Sequence, residues 1–226
     1  MVDRRLKGEP VAYITGEWGF YGLNIKVTPD TLIPRTDTEL LAETAIGLLR
    51  SADRDTRCMD LCTGSGCVGL AVAANVKNCR VILGDKSLKA LAVARQNMLE
   101  NNLSRMVTCV EADAEARPPL LLGRFDLIVC NPPYIPTEDL KTLDRSVRDY
   151  EPMLALDGGT DGLRFFRTIT TCWADSLRDG GMIAFECGAG QAQAVGDILL
   201  GGGFEDIMVK VDTAGIERVV TGRKKN

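Results

Sequence analysis

A buried strand that ends on an amide followed by two prolines constrains this chain more than anything else in it. Phe125 to Cys130 is apolar except for Asp126 and reads as a buried strand. Pro132 and Pro133 have no N–H to give to a sheet ladder, so pairing stops at Asn131. The same prolines stiffen the backbone that follows. A polar amide therefore sits at the carboxyl end of a buried strand, the edge at which open α/β sheets bind ligands.

Strands and helices alternate around that point. Residues 58–62 read as a short strand, and Thr63-Gly64-Ser65-Gly66 as a glycine loop opening an apolar helix to about 74. Residues 80–84 form a second strand ending at Asp85, and Ser87 caps a helix with a stripe of Leu88, Leu91, Ala92, Met98 and Leu99. A third strand, 106–110, ends near Asp113. Residues 161–178 read as helix, Gly180-Gly181 as the turn into strand 182–187, and 190–200 as helix. The last strands, 204–211 and 216–222, pair through Asp212-Thr213-Ala214-Gly215.

Upstream, residues 16–28 alternate aromatic and small residues as a β-hairpin does. Thr36-Asp37-Thr38-Glu39 has the form of a capping box opening a helix over about 37–50. The expected fold is α/β: a doubly wound, mostly parallel seven-stranded sheet with a final antiparallel hairpin and a small N-terminal β-hairpin. Residues 1–35 are expected as the N-terminal segment carrying that hairpin, and 36–226 as the main domain. Residues 135–160 show no clear period and read as a lid or binding loop.

Composition removes several function classes. No run of about 18 apolar residues is present, so no transmembrane helix is expected. The charged start lacks the apolar region of a signal peptide, and the chain reads as cytoplasmic with no membrane partner. A net charge of −4 argues against a large nucleic-acid footprint, leaving the basic ends as solvated tails. The 8 cysteines include no CxxC pair, and with 0 histidines Cys58, Cys62 and Cys67 have no partner to complete a metal site. No metal is expected. Catalysis by Ser–His or Cys–His pairs is removed as well.

The remaining chemistry converges on one ligand class. In Asp60-Leu61-Cys62-Thr63-Gly64-Ser65-Gly66 the glycines let backbone approach a ligand, and the helix that follows offers free N–H groups. Asp85 is placed to accept from ribose hydroxyls, and Asp113 ends the next strand; together they indicate an adenosine ligand. A dinucleotide dehydrogenase fits Asp85 but leaves Asn131-Pro132-Pro133-Tyr134 unexplained. Methyl transfer from S-adenosylmethionine explains it. An amide or aromatic amino nitrogen is a poor nucleophile, and two acceptors aimed at its N–H bonds hold it and favour lone-pair character. The Asn131 side-chain carbonyl and the Pro132 main-chain carbonyl are those acceptors, and Tyr134 offers a flat face. Pro34 and Arg35 read either as helix capping or as a lip on the pocket. Phe20 and Tyr21 either fold over the pocket or pin the hairpin to the core.

GEPVAYITG at 8–16, Phe20-Tyr21, TLIPRTDTE at 31–39, DLCTGSG at 60–66, Asp85 and NPPYIP at 131–136, in this order, resemble the release-factor glutamine methyltransferases. The likeness covers nearly the whole chain. It implies the class I S-adenosylmethionine-dependent, Rossmann-like fold and N5-methylation of the glutamine in the Gly-Gly-Gln loop of class I peptide chain release factors. It implies donor contacts at Asp60, Cys62, Thr63, Gly64, Ser65, Gly66, Asp85, Lys86, Asp113, Ala114 and Asn131. It implies substrate contacts at Phe20, Arg35, Asn131, Pro132, Pro133, Tyr134 and Glu186, with Asn131, Pro132 and Tyr134 carrying the chemistry; Asp37 matches a family position nearby. Cys62 stands where the family usually has glycine and Thr36 where it has proline. Family members usually carry an N-terminal helical domain that helps to dock the release factor, and this sequence is expected to lack it. Two alternatives stay open: an amino-nitrogen methyltransferase acting on adenine or guanine in nucleic acid, and a non-catalytic donor-binding module.

Overall fold

The computed structural model describes residues 1–50 and 52–225. Two short helices, α1 (Val2–Leu6) and α2 (Val11–Thr15), lead into β1 (Glu17–Phe20) and β2 (Leu23–Lys26). Then come α3 (Glu39–Arg50), β3 (Thr56–Leu61), α4 (Cys67–Asn75), β4 (Cys79–Asp85), α5 (Leu88–Glu100), β5 (Val107–Glu111) and β6 (Phe125–Cys130). The rest holds α6 (Arg145–Arg148), α7 (Arg164–Trp173), β7 (Leu177–Glu186), α8 (Ala192–Gly201), β8 (Phe204–Val211) and β9 (Glu217–Lys224).

Seven strands form one sheet in the order β5-β4-β3-β6-β7-β9-β8. The first five are mutually parallel, and β9 is antiparallel to both β7 and β8. The chain runs outward from β3 through β4 to β5, then restarts beside β3 at β6. That reversal leaves a crevice at the carboxyl ends of β3 and β6. The small hairpin β1–β2 is a separate two-stranded sheet.

Strand alternation divides the core into two clusters. Cys58, Leu127, Val129 and Ala184 pack with α3 and α4, in a cluster that also takes in Tyr13, Phe20, Ile25 and Ile33 from the N-terminal segment. Met59, Leu61, Ile128, Cys130 and Phe185 pack with α7 and α8 around Phe166 and Trp173. No helix among the described residues is long and apolar enough to cross a membrane.

Four local expectations need correction. Thr36–Thr38 is a turn of 3-10 helix without a side-chain cap, and the Glu39 carboxylate instead accepts from the Tyr21 N–H at 2.7 Å. The capping box is thus replaced by a tie to the hairpin. Gly180 and Gly181 lie inside β7 rather than before it. Leu177 already pairs with Phe125, and the glycines absorb an irregularity before Met182 meets Leu127. The helix expected over 161–178 is α7 followed by a 3-10 turn over Ala174–Ser176. On α5 the buried residues are Ala90, Leu91, Val93, Ala94 and Asn97, while Leu88 and Leu99 are exposed. A buried asparagine breaks the apolar pattern from which that stripe was read.

Candidate active site

The glycine loop is clamped by two acids at successive strand ends. Asp60, near the end of β3 and 2% exposed, accepts from the Thr63 hydroxyl at 2.6 Å and the Gly69 N–H at 2.9 Å. Burial pushes its pKa up to about 7 in spite of those two hydrogen bonds. Asp85, the last residue of β4, accepts from the Gly64 N–H at 2.9 Å and the Ser87 N–H at 2.8 Å, and burial raises its pKa. Cys62 takes φ 59, a left-handed conformation that a side chain adopts at a cost. The buried Asn97 of α5 donates to the Ser65 carbonyl at 2.8 Å and the Lys26 carbonyl at 3.0 Å, and accepts from the Lys26 N–H at 2.7 Å. One amide thereby ties the loop to β2.

A cavity of about 210 Å³ opens over this loop, and one of about 200 Å³ adjoins it. Leu32, Arg35, Asn131 and Ala155 line both. In the larger cavity all three lining cations are engaged: Lys86 with Asp113 at 2.7 Å, Arg164 with Glu115 at 3.2 Å, and Arg35 with Glu151. Burial opposes it, yet the Lys86 ammonium holds Asp113 below the usual carboxylate range. With its cations paired and Asp60 and Asp85 facing it, this cavity suits a cationic ligand better than a pyrophosphate.

The smaller cavity has an apolar wall of Leu143, Val147 and Leu156 and a polar end of Asn131, Tyr134 and Glu186. Asn131 Nδ2 donates to Thr38 Oγ1 at 3.3 Å. Glu186, the last residue of β7, is 2% exposed, and burial pushes its pKa up to about 7. Burial likewise raises the Tyr134 phenol above its ordinary value, so it stays neutral. The Tyr134 carbonyl accepts from Gln191 at 3.0 Å. Gly162, at φ 73, runs so close that an added Cβ would sit 2.3 Å from that oxygen.

Residues 135–160, expected as a lid or binding loop, are fastened by main-chain bonds. Ile135 N–H donates to Leu156 at 3.0 Å, Gly158 N–H to Ile135 at 2.9 Å, and Thr137 N–H to Gly159 at 3.0 Å. Glu151, 5% exposed, accepts from the Ile33 N–H at 3.1 Å as well as from Arg35.

Of the residues expected at the donor, Asp60, Cys62, Thr63, Gly64, Ser65, Asp85, Lys86, Asp113, Ala114 and Asn131 line the larger cavity. Gly66 does not; its φ of 86 and a Cβ position 3.1 Å from Leu83 make it a packing glycine. Of those expected at the substrate, Arg35, Asn131, Tyr134 and Glu186 line the smaller cavity and Pro133 the larger. Pro132 is buried and lines neither. Phe20, expected over the substrate, fills the core at 2% exposed and lines neither, because the β1–β2 turn directs it inward. Asp37 lies outside both and pairs with Arg218 at 3.2 Å. Sequence reasoning missed Thr38, Glu151 and Arg218. The only sequence signal at Thr38 was its place in the supposed capping box.

Residues 37–159 match the family model described as methyltransferase small domain. The chain is 44% identical to a release factor glutamine methyltransferase of Geobacter sulfurreducens over 99% of this chain and 76% of that protein. It is 40% identical to one from Thermodesulfovibrio yellowstonii, over 99% of this chain and 80% of the relative. A crystal structure of a release factor-specific protein-(glutamine-N5) methyltransferase from Alicyclobacillus acidocaldarius superposes with TM-score 0.53 at 28% identity, covering 89% of this chain and 100% of that one.

Proposed function

This chain belongs to the family of release factor glutamine methyltransferases, and we infer from its two adjoining cavities that it transfers a methyl group from S-adenosylmethionine to the side-chain amide nitrogen of the glutamine in the Gly-Gly-Gln motif of class I peptide chain release factors. The observation that carries the reading is Asn131, which borders the glycine-loop cavity and the smaller cavity at once. The donor set suits the proposed ligand. Asp85 meets the ribose, Ala112, Ala114 and Phe165 give apolar surface, and no lining cation among the described residues is left to attract a phosphate. When bound, S-adenosylmethionine supplies a methyl on a sulfonium, already electrophilic.

The work left to the chain is placement. A carboxamide entering the smaller cavity meets Asn131 Oδ1, which accepts one of its N–H bonds; the second acceptor expected, the Pro132 carbonyl, lies outside both cavities here. Holding a weak nucleophile in line can supply about 7–11 kcal/mol of a barrier. Tyr134, neutral and half-buried, offers its face to the planar amide. Arg35, fixed by Glu151, walls the junction of the two cavities. In this reading residues 36–226 carry most of both sites, and Leu32 and Arg35 of the N-terminal segment complete their walls.

The test is transfer of labelled methyl to a purified class I release factor, with the label mapped by mass spectrometry. Label on the Gly-Gly-Gln peptide supports the reading; a bound donor with no label there overturns it. Nucleic-acid and non-catalytic readings are not favoured, since the net charge of −4 gives no basic footprint and the relatives are named as transferases acting on release factors.

A further inference from the structure

The Asn131 carboxamide has a polarity, and buried neighbours set it. Its Nδ2 donates to Thr38 Oγ1 at 3.3 Å. Thr38 is 3% exposed and Glu186 2%. Glu186 Oε2 is buried without a hydrogen-bond partner among the described residues, and Glu186 lines the cavity into which Asn131 faces. A hydroxyl gives one proton and receives others, whereas an ionised carboxylate only receives. With Glu186 ionised, it can only receive, and it draws hydrogen bonds from both Thr38 and Asn131, while Thr38 accepts from Asn131. The Asn131 NH2 is then held back and Oδ1 faces the cavity. With Glu186 protonated, the carboxyl can donate to Thr38, whose own proton becomes free for Asn131 Oδ1. The amide can then turn about its last torsion and present N–H to the cavity, where another N–H cannot be received.

We propose that Thr38 and Glu186 are positioning residues that fix the direction of the Asn131 carboxamide, keeping Oδ1 toward the incoming glutamine amide only while Glu186 is ionised. The proposal rests on the reading of this cleft as a glutamine methyltransferase site. The groups facing Glu186 allow the switch to fall near neutrality. Burial raises its pKa to about 7, hydrogen bonding from Thr38 and the charge of Arg218 lower it, Asp37 raises it, and a hydrogen bond from Asn131 itself lowers it. Tyr134 and Cys187, which also face it, are themselves held neutral by burial. The productive state exists above about pH 7 and is lost below.

Two readouts test this on the full chain. In ¹⁵N NMR without substrate, the Asn131 side-chain NH2 signal should move with a midpoint near pH 7, and Glu186→Gln should hold it at the low-pH position at every pH. In transfer to the release factor, kcat should fall about tenfold per pH unit below the midpoint. Glu186→Gln and Thr38→Val should lower kcat by about 10–100-fold and lose the acid limb, with donor affinity by calorimetry within about twofold. Thr38→Ser, which keeps the hydroxyl, should restore most of what Thr38→Val loses. An Asn131 signal blind to pH from 5.5 to 8.5, or an acid limb surviving in Glu186→Gln, overturns the proposal. If wild-type protein transfers nothing to the release factor, the functional reading fails, and the NMR titration still decides the polarity.

Discussion

Asn131 is the one side chain at which removal should separate chemistry from binding. Its amide is oriented from behind by Thr38 and borders both cavities. Asn131→Ala should reduce kcat by about 10³-fold, the scale seen when a single oriented group at a reacting atom is deleted. Donor affinity by calorimetry should change only a few-fold, because the clamp on the glycine loop is made by Asp60 and Asp85. A second residue shows how magnitudes decide a sign. Cys62 at φ 59 carries about 1–2 kcal/mol of strain. Cys62→Gly relieves it but adds about 0.5–1 kcal/mol of chain entropy to the unfolded state and removes a half-buried thiol. The two nearly cancel, so the melting temperature should move by less than about 2 °C. Cys62→Val adds branching at Cβ and should lower it by about 4–8 °C, a loss of about 2 kcal/mol. Scanning calorimetry on the two variants checks both.

At the scale of elements, the hairpin β1–β2 stays on the sheet through few polar ties. Asn97 makes two of them, both to Lys26, and a third bond to the glycine loop, so Asn97→Ala also leaves the buried Ser65 carbonyl without its donor. Losing an amide of this kind should cost about 2–3 kcal/mol and quicken hydrogen exchange at Glu17–Lys26 before the sheet itself opens. Asn97 also shows why part of the fold was illegible. Periodicity finds apolar faces, and a buried polar residue that holds two loops together is invisible to it. The same limit hid Glu151, whose partners Ile33 and Arg35 lie more than a hundred residues away in sequence. The doubly wound, mostly parallel sheet with its closing hairpin was legible, since strand-helix alternation leaves little freedom. Thr36–Glu39 was misread because a motif for local capping was met by a distant N–H, that of Tyr21. Phe20 was ambiguous in sequence for a plain reason: an aromatic beside a glycine turn points to core or ligand according to a register the sequence does not print.

Across the whole molecule, two buried acids link stability to pH. Asp60 and Glu186 titrate near 7 when folded, pushed there by burial, and near 4 when unfolded. Between those values the folded chain keeps protons that the unfolded chain has released. Their contribution is fully present below about pH 4, is lost as pH rises through about 7, and is flat above. For Glu186 this amounts to a few kcal/mol. Glu186→Gln should therefore narrow the difference in melting temperature between pH 5 and pH 8, by calorimetry, leaving the part that Asp60 and Asp85 contribute. The carboxylate needed to orient Asn131 is then the form that the fold tolerates least.

The sheet order carries a last consequence. β3, β6 and β7 are adjacent, and each ends in part of the cleft: the glycine loop, Asn131 and Glu186. Neighbouring strands lie about 4.8 Å apart whatever their side chains. The separation of these parts is thus ruled off by the peptide ladder, a lattice constant rather than a tuned length. Insertions in the surrounding loops can change which partner enters without altering that spacing. A single residue added within β6 would turn its last side chain to the opposite face and erase the cleft outright.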